Sequence, residues 1–247
     1  MRSSKSLFVH CVFFVLLFSA SCSHKQQSTP IVIGCASSLQ HVMKSLVAQY
    51  NDRQNEQYQL RVSSSGKLFA QLKEGSKIDI FIPADSIYAF KAANKFKPEL
   101  LCFGKLALWT NSSLTFNSLN ELALSNIKVL TIPNPKTAPF GRAALQSLER
   151  SGNLNTVQDK LVFGQSVADV DNYILLETTD VALSSLSSKD HITNGLWRKI
   201  DTSLYDPIPF YLVQMSDNEP TNKFVEFLKS NEVKLILKEN HFNSFMH

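Results

Sequence analysis

Two clusters of small hydroxyl residues, Ser37-Ser38 and Ser63-Ser64-Ser65-Gly66, are where this chain could do chemistry. A serine hydroxyl can attack a carbonyl or phosphoryl centre, or it can donate a hydrogen bond. Attack needs a base within about 3 Å and a group that orients the base. His41 lies one turn beyond Ser38, but there is no G-x-S-x-G elbow, and His24, His191, His241 and His247 fall in linker-like or tail-like sequence. Donation asks for less, and the surroundings suit it. Each cluster ends an extended run and leads into helix formers. After Ser38, apolar residues recur at Leu39, Val42, Met43, Leu46, Val47 and Tyr50, the helical period of about 3.6. After Gly66 comes Lys67-Leu-Phe-Ala-Gln-Leu72.

A serine at a helix start sets its hydroxyl beside first-turn N–H groups that have no acceptor within the helix, and that end of a helix attracts anions. Ser38 alone could simply cap its own helix. Two such turns within one βαβ-sized interval place both at the carboxyl edge of a parallel sheet, where one small polar ligand would meet them. Two further helix starts follow, at Pro139-Phe140-Gly141-Arg142 and at Ser166-Val167, with Asp169 three places after Ser166. The chemistry indicated is the binding of a small polar ligand, with helix starts suited to an anion, and the chain reads as a binding protein rather than an enzyme. Metal chemistry finds little support: four scattered cysteines, with no C-x-x-C pair, make neither a zinc site nor a disulfide framework. Cys35 and Cys102 sit in apolar runs as small core residues, and a single bridge between them stays open.

The elements that must position these turns form an α/β pattern. Strands at 31–35, 60–62, 78–82 and 100–109 alternate with helices, the order that builds a parallel sheet through right-handed crossovers. Between the last two of these strands, Ile87, Phe90 and Ala93 or Asn94 mark a brief helix. A second unit begins near Thr110. Ser118-x-x-Glu121 is a capping box, 127–132 and 161–163 are strands, and Asp180-Val-Ala-Leu-Ser184 closes the unit. The proline-flanked run 207–215 then returns as an edge or crossing strand, followed by two helices. The expected architecture is two lobes, each a mostly parallel sheet flanked by helices, joined by crossing strands near 107–112 and 205–212. Residues 30–108 and 209–247 would form the first lobe and 109–208 the second, a reasonable size for a 247-residue chain.

The N-terminus reads as an export signal. Arg2 and Lys5 precede an apolar run over 7–18, too short for the ~20 residues a span needs, and Ser19-Ala20-Ser21 offers a cleavage site. Cys22 and the polar linker 22–29 resemble a bacterial lipoprotein signal, in which the cysteine is lipidated; Ser19 stands where such signals usually carry Leu, and plain secretion with cleavage after residue 21 is the alternative. Arg2 and Lys5 account for two of the four net positive charges, which leaves a nearly neutral mature chain. Its basic residues are dispersed, with no aromatic-interleaved patch, which argues against nucleic acid.

With these residues in hand, the chain resembles the periplasmic molybdate-binding proteins of ABC importers, within the type II solute-binding proteins. The resemblance runs from Ile31 to about Met215. It rests on Ala-Ser-Ser-Leu39, Ser-Ser-Gly-Lys-Leu68, Ile78-Asp-Ile-Phe-Ile-Pro-Ala-Asp85 and Ala-Pro-Phe-Gly-Arg-Ala-Ala-Leu145, in that order. It implies a monomer that holds molybdate or tungstate between its lobes and hands it to a membrane permease with its ATPase, without a cofactor or a free metal cation. By position, Ser38 and Ser65 match the serine ligands, each giving a hydroxyl and an N–H, and the N–H groups of Phe140 and Val167 match the donors of the second lobe. The family commonly has Tyr where Ser185 stands, so a shorter hydroxyl replaces a longer one. Sulfate, phosphate, a small organic anion, or a scaffold that has lost its ligand are the other readings.

Overall fold

The structure, a computed structural model, describes residues 29–52, 57–114, 118–124 and 126–243. The expected export signal and Cys22 lie outside the described residues.

The first sheet has the order β2-β1-β3-β10-β4. Strand β1 (Ile31–Ala36) is buried along its whole length, as suits a parallel strand covered on both faces. It pairs in parallel with β2 (Tyr58–Ser63) and β3 (Ile80–Ile82). Between them run α1 (Gln40–Asn51), entered through a 3₁₀ turn at Ser37–Leu39, and α2 (Ser65–Lys73). Helix α3 (Ser86–Ala92) leads to β4 (Glu99–Gly104).

The second sheet has the order β7-β6-β8-β5-β9. Strands β6 (Leu130–Pro133), β7 (Leu161–Gly164) and β8 (Val181–Ser185) are parallel, while β5 (Leu106–Thr110) runs against β8 and against β9 (Leu196–Lys199). Helices α4 (Pro139–Arg150), the single turn α5 (Leu154–Val157) and α6 (Val167–Leu175) connect them. The chain returns through β10 (Ile208–Gln214) and ends in α7 (Glu219–Lys229) and α8 (Asn231–Glu239). Helix α7 packs on β10 and α8 on α1, within the first lobe. Two α/β lobes are therefore present, each a sheet of four strands running one way with a single antiparallel strand, β10 or β5, inserted next to the far edge.

Two local expectations need correcting. The extended segment 100–109 is two strands in two sheets, β4 and β5, with only Lys105 between them. This is one link between the lobes, and the expected boundary at residue 108 falls inside β5. Second, β10 is not an edge strand, because it lies between β3 and β4. Its prolines are tolerated for a local reason: Ile208 to Phe210 pair only with β4, and pairing with β3 begins at Val213. No residue of β3 pairs with Pro209, so its missing N–H breaks no ladder on that side. In α3, Ile87 and Phe90 point outward, 56% and 52% exposed, and Ala89 turns inward. Phe90 covers part of its ring against Tyr211, 5.5 Å away.

One large apolar cluster runs through both lobes and the link, joining Ile33, Leu39 and Phe224 to Leu106, Phe140 and Leu183. At the link, the Phe140 ring fills the space beside Gly104, where a Cβ would lie 2.7 Å from Phe140 Cζ. Leu106 N–H donates to the Tyr205 hydroxyl at 3.1 Å, tying the outgoing strand to the returning one. Cys35 and Cys102 are buried free thiols, so no bridge joins them. Burial pushes the Cys35 thiol up to about 12 and Cys102 further in the same direction, which leaves both unreactive.

Candidate oxyanion site

The parallel register of β1 and β2 pairs Ala36 with Ser63, so the two serine turns leave adjacent strands side by side. Ser37, Ser38, Ser64 and Ser65 are all buried. Each turn begins a helix whose first N–H groups lack intrahelical acceptors. Ser65 Oγ accepts from Ala84 N–H at 3.0 Å, which locks α2 to the end of β3 and still leaves the Ser65 hydrogen to donate. The neighbouring Ser64 Oγ is buried and makes no hydrogen bond.

The second lobe faces these turns with the starts of α4 and α6. Phe140 is the second residue of α4, behind Pro139, and its N–H is among those with no helical acceptor. Ser166 caps α6 through Asp169 N–H, as its spacing predicted. Val167 N–H crosses between the lobes to Ser37 Oγ at 3.1 Å, so in this arrangement that expected donor already has an acceptor. Ser185 ends β8, buried, with its hydroxyl 2.8 Å from that of Ser187. Ser187 Oγ in turn donates to the Ser38 carbonyl at 3.0 Å.

Further contacts close the lobes on each other. Gly66 N–H donates to the Thr137 carbonyl at 3.0 Å, which brings the start of α2 to the loop before Phe140. Asp85, buried at the end of the Ile-Pro-Ala-Asp run, caps α3 through Ile87 N–H and pairs with Arg142 of α4. Lys67 bonds the side-chain oxygen of Gln165. On α1, the His41 ring stacks on His191 with centroids 3.6 Å apart, and His191 contacts buried Asp171 at 3.2 Å. Burial and the neighbouring His191 hold the His41 pKa below its ordinary value, with Lys44 adding to this and Asp171 opposing it. A crevice of about 220 Å³, lined by Ser37, Gln40, Ser63, Lys67, Ser166 and Asp169, opens beside the serine turns.

The electrostatics favour a negative ligand. Arg142 is paired with Asp85, while Lys67, bonded to the neutral Gln165, keeps its charge at the crevice beside the turns. At the turns themselves the positive potential comes from helix starts and hydroxyl dipoles. Of the residues singled out from sequence, Ser38 and Ser185 are brought together through Ser187, Val167 meets the Ser37–Ser38 turn, and Ser65 lies beside the loop that carries Phe140. The roles of Ser187, Asp85 and Arg142 were not read from sequence. Asp85 and Arg142 stood inside recognised motifs, but pairing across lobes leaves no local signal. Ser187 is one of four serines in 184–188, and nothing in that run distinguishes it.

Known proteins share this fold. The molybdate-binding protein ModA of Azotobacter vinelandii is 26% identical over 227 residues, covering 86% of this chain and 89% of its own length. The solved structure of the Azotobacter vinelandii periplasmic molybdate-binding protein superposes with a TM-score of 0.80 at 22% identity, over 86% of this chain and 98% of that one. The sulfate-binding protein SubI from Mycobacterium tuberculosis H37Rv has the same fold, with a TM-score of 0.69 at 10% identity over 87% of this chain and 86% of its own. The family model for bacterial extracellular solute-binding proteins matches residues 31–243, nearly all of the described chain, and the protein belongs to that family.

Proposed function

We propose that this protein is the solute-binding component of an ABC importer and that it holds a tetrahedral oxyanion, molybdate or tungstate before others, between its two lobes for delivery to the membrane permease and its ATPase. The observation that carries this reading is the convergence of two buried serine turns from one lobe with two helix starts from the other. The oxyanion is cargo, and no resident cofactor enters the reading. Ser38 and Ser65 give hydroxyls and N–H groups, and Phe140 gives an N–H. Val167 would exchange its bond to Ser37 Oγ for one to the ligand.

An anion screen by thermal melting tests this. A ligand that binds only the folded form stabilises it by about 2.7 kcal/mol at a hundredfold excess over Kd. Molybdate and tungstate are expected to raise the melting temperature, with sulfate and phosphate doing much less. Ser38→Ala or Ser65→Ala should cost about 1.5–3 kcal/mol of binding, the range for hydrogen bonds to a charged group. A larger shift with sulfate would move the assignment to that anion. Phosphate, being partly protonated, would use an acceptor such as Asp169, which lines the crevice. No shift with any of the four at millimolar concentration would remove oxyanion binding altogether.

The same reading puts the mature chain outside the cytoplasm, held at a membrane by acyl chains on Cys22. One chain binds only marginally, so a stable tether needs the several chains of a lipoprotein. Cys22→Ser should move the protein from the membrane to the soluble fraction; persistence in the membrane would mean that the tether lies elsewhere.

A further inference from the structure

The contact between Ser185 and Ser187 has a direction. A serine hydroxyl owns one hydrogen and two lone pairs, and a carbonyl oxygen can only accept. Ser187 Oγ lies 3.0 Å from the Ser38 carbonyl, so its single hydrogen is there. The 2.8 Å contact between the two hydroxyls must then use the hydrogen of Ser185. Ser187 N–H points back to Ser185 Oγ at 3.4 Å. A one-way chain therefore runs Ser185 O–H to Ser187 O–H to Ser38 C=O, out of the second lobe and into the first. Its last bond exists only while the lobes are closed. Chains of this kind strengthen one another in sequence, because each donor is polarised by the bond it accepts.

We infer that Ser187 is a positioning residue that latches the closed lobes through the Ser38 carbonyl, and that Ser185 orients Ser187 instead of donating to the ligand. This deepens the oxyanion reading and rests on it for its ligand. Ser185 stands where a longer hydroxyl would be expected to touch the anion, yet its hydrogen is already committed within the protein. A fixed Ser38 carbonyl holds the turn that presents the Ser38 hydroxyl and the first-turn N–H groups. Closure over the ligand thus draws on a hydroxyl that need not touch it.

The experiment uses the full mature chain carrying Cys22→Ser, with molybdate as the probe, and follows association and dissociation by stopped flow. Ser187→Ala should speed dissociation about three- to tenfold, the range of one hydrogen bond, in a protein that keeps its parent circular dichroism spectrum. Ser187→Thr, which keeps the hydroxyl, should restore slow release. Ser185→Ala should change dissociation less than Ser187→Ala, because Ser187 keeps its bond to Ser38. The opposite ranking, or tighter binding in Ser187→Ala, would show that Ser185 serves the anion directly and would overturn the inference. A ligand-free measurement separates this from failure of the oxyanion reading. With spin labels at Lys97→Cys in the first lobe and Asn155→Cys in the second, Ser187→Ala should shift the interlobe distance distribution toward open forms, and an unchanged distribution would sink the latch even if no anion binds.

Discussion

Gly141→Ala is expected to cost about 3 kcal/mol or more, the upper end of what overpacking does, and, on the function proposed above, to abolish oxyanion binding in the protein that remains folded. A Cβ at this position would lie 2.1 Å from the Pro133 carbonyl oxygen, 2.7 Å from its carbon and 2.8 Å from Pro135 N. All three are backbone atoms, so no side-chain rotation relieves the clash. Either α4 moves away from the end of β6, or the loop 133–138 does. Both carry parts of the site. Phe140 precedes Gly141, and Thr137 of the loop accepts the Gly66 N–H that brings the lobes together. The absence of a side chain here lets a helix start press against the strand end before it. Urea unfolding followed by circular dichroism measures the loss, and a midpoint equal to that of the parent would show that the close approach is not maintained in solution.

Asp79→Ala should be at least as severe, about 3–5 kcal/mol, because it removes a buried carboxylate that ties together two other segments. Its Oδ2 accepts from Val32 N–H at 2.8 Å, and its Oδ1 accepts from the Ser216 hydroxyl at 2.7 Å. Its backbone carbonyl takes the N–H groups of Met215 and Ser216, while its own N–H donates to the Val32 carbonyl. The start of β1, the approach to β3 and the exit of β10 are stapled by this one residue. Truncation leaves Val32 N–H without a partner next to a fully buried strand, and an unmet buried donor costs more than a bond contributes. Asp79→Asn should cost only about 1–2 kcal/mol, since the amide oxygen can keep Val32 N–H while the amide N–H₂ donates to the Ser216 oxygen. Similar losses in the two variants, read from urea midpoints at constant m-value, would show that the charge matters more than the acceptor geometry.

The parts of the fold that were legible in the sequence are those with local causes. The serine turn at 37–38 could be read because a β-branched run and a helical period meet there, and Ser166 could be read as a cap because Asp169 follows at the right spacing. The split at Lys105 could not, because residues 100–109 are continuously extended and apolar, and only the sheet partners on either side reveal two strands. Strand β9 was missed, being four residues long with two cations and with Trp197 as its main apolar mark. Ile87 and Phe90 mark a helix, but periodicity does not say what covers the face they share. At the site, the hydroxyls that begin helices were visible as a pattern. The contacts that close one lobe on the other, Val167 to Ser37, Ser187 to Ser38 and Asp85 to Arg142, join residues 57 to 149 positions apart and have no signature along the chain.

The placement of β10 between β3 and β4 also orders the making of the molecule. Every strand of the second sheet comes from one unbroken stretch, Leu106 to Lys199, whereas the first sheet keeps an open slot until Gln214 has left the ribosome or the export channel. During that interval β3 and β4 each present an unpaired edge, the kind of surface that recruits stray strands. The later-finished lobe is also the one that carries both serine turns, so on the proposed reading the site is assembled only once β10 has been made.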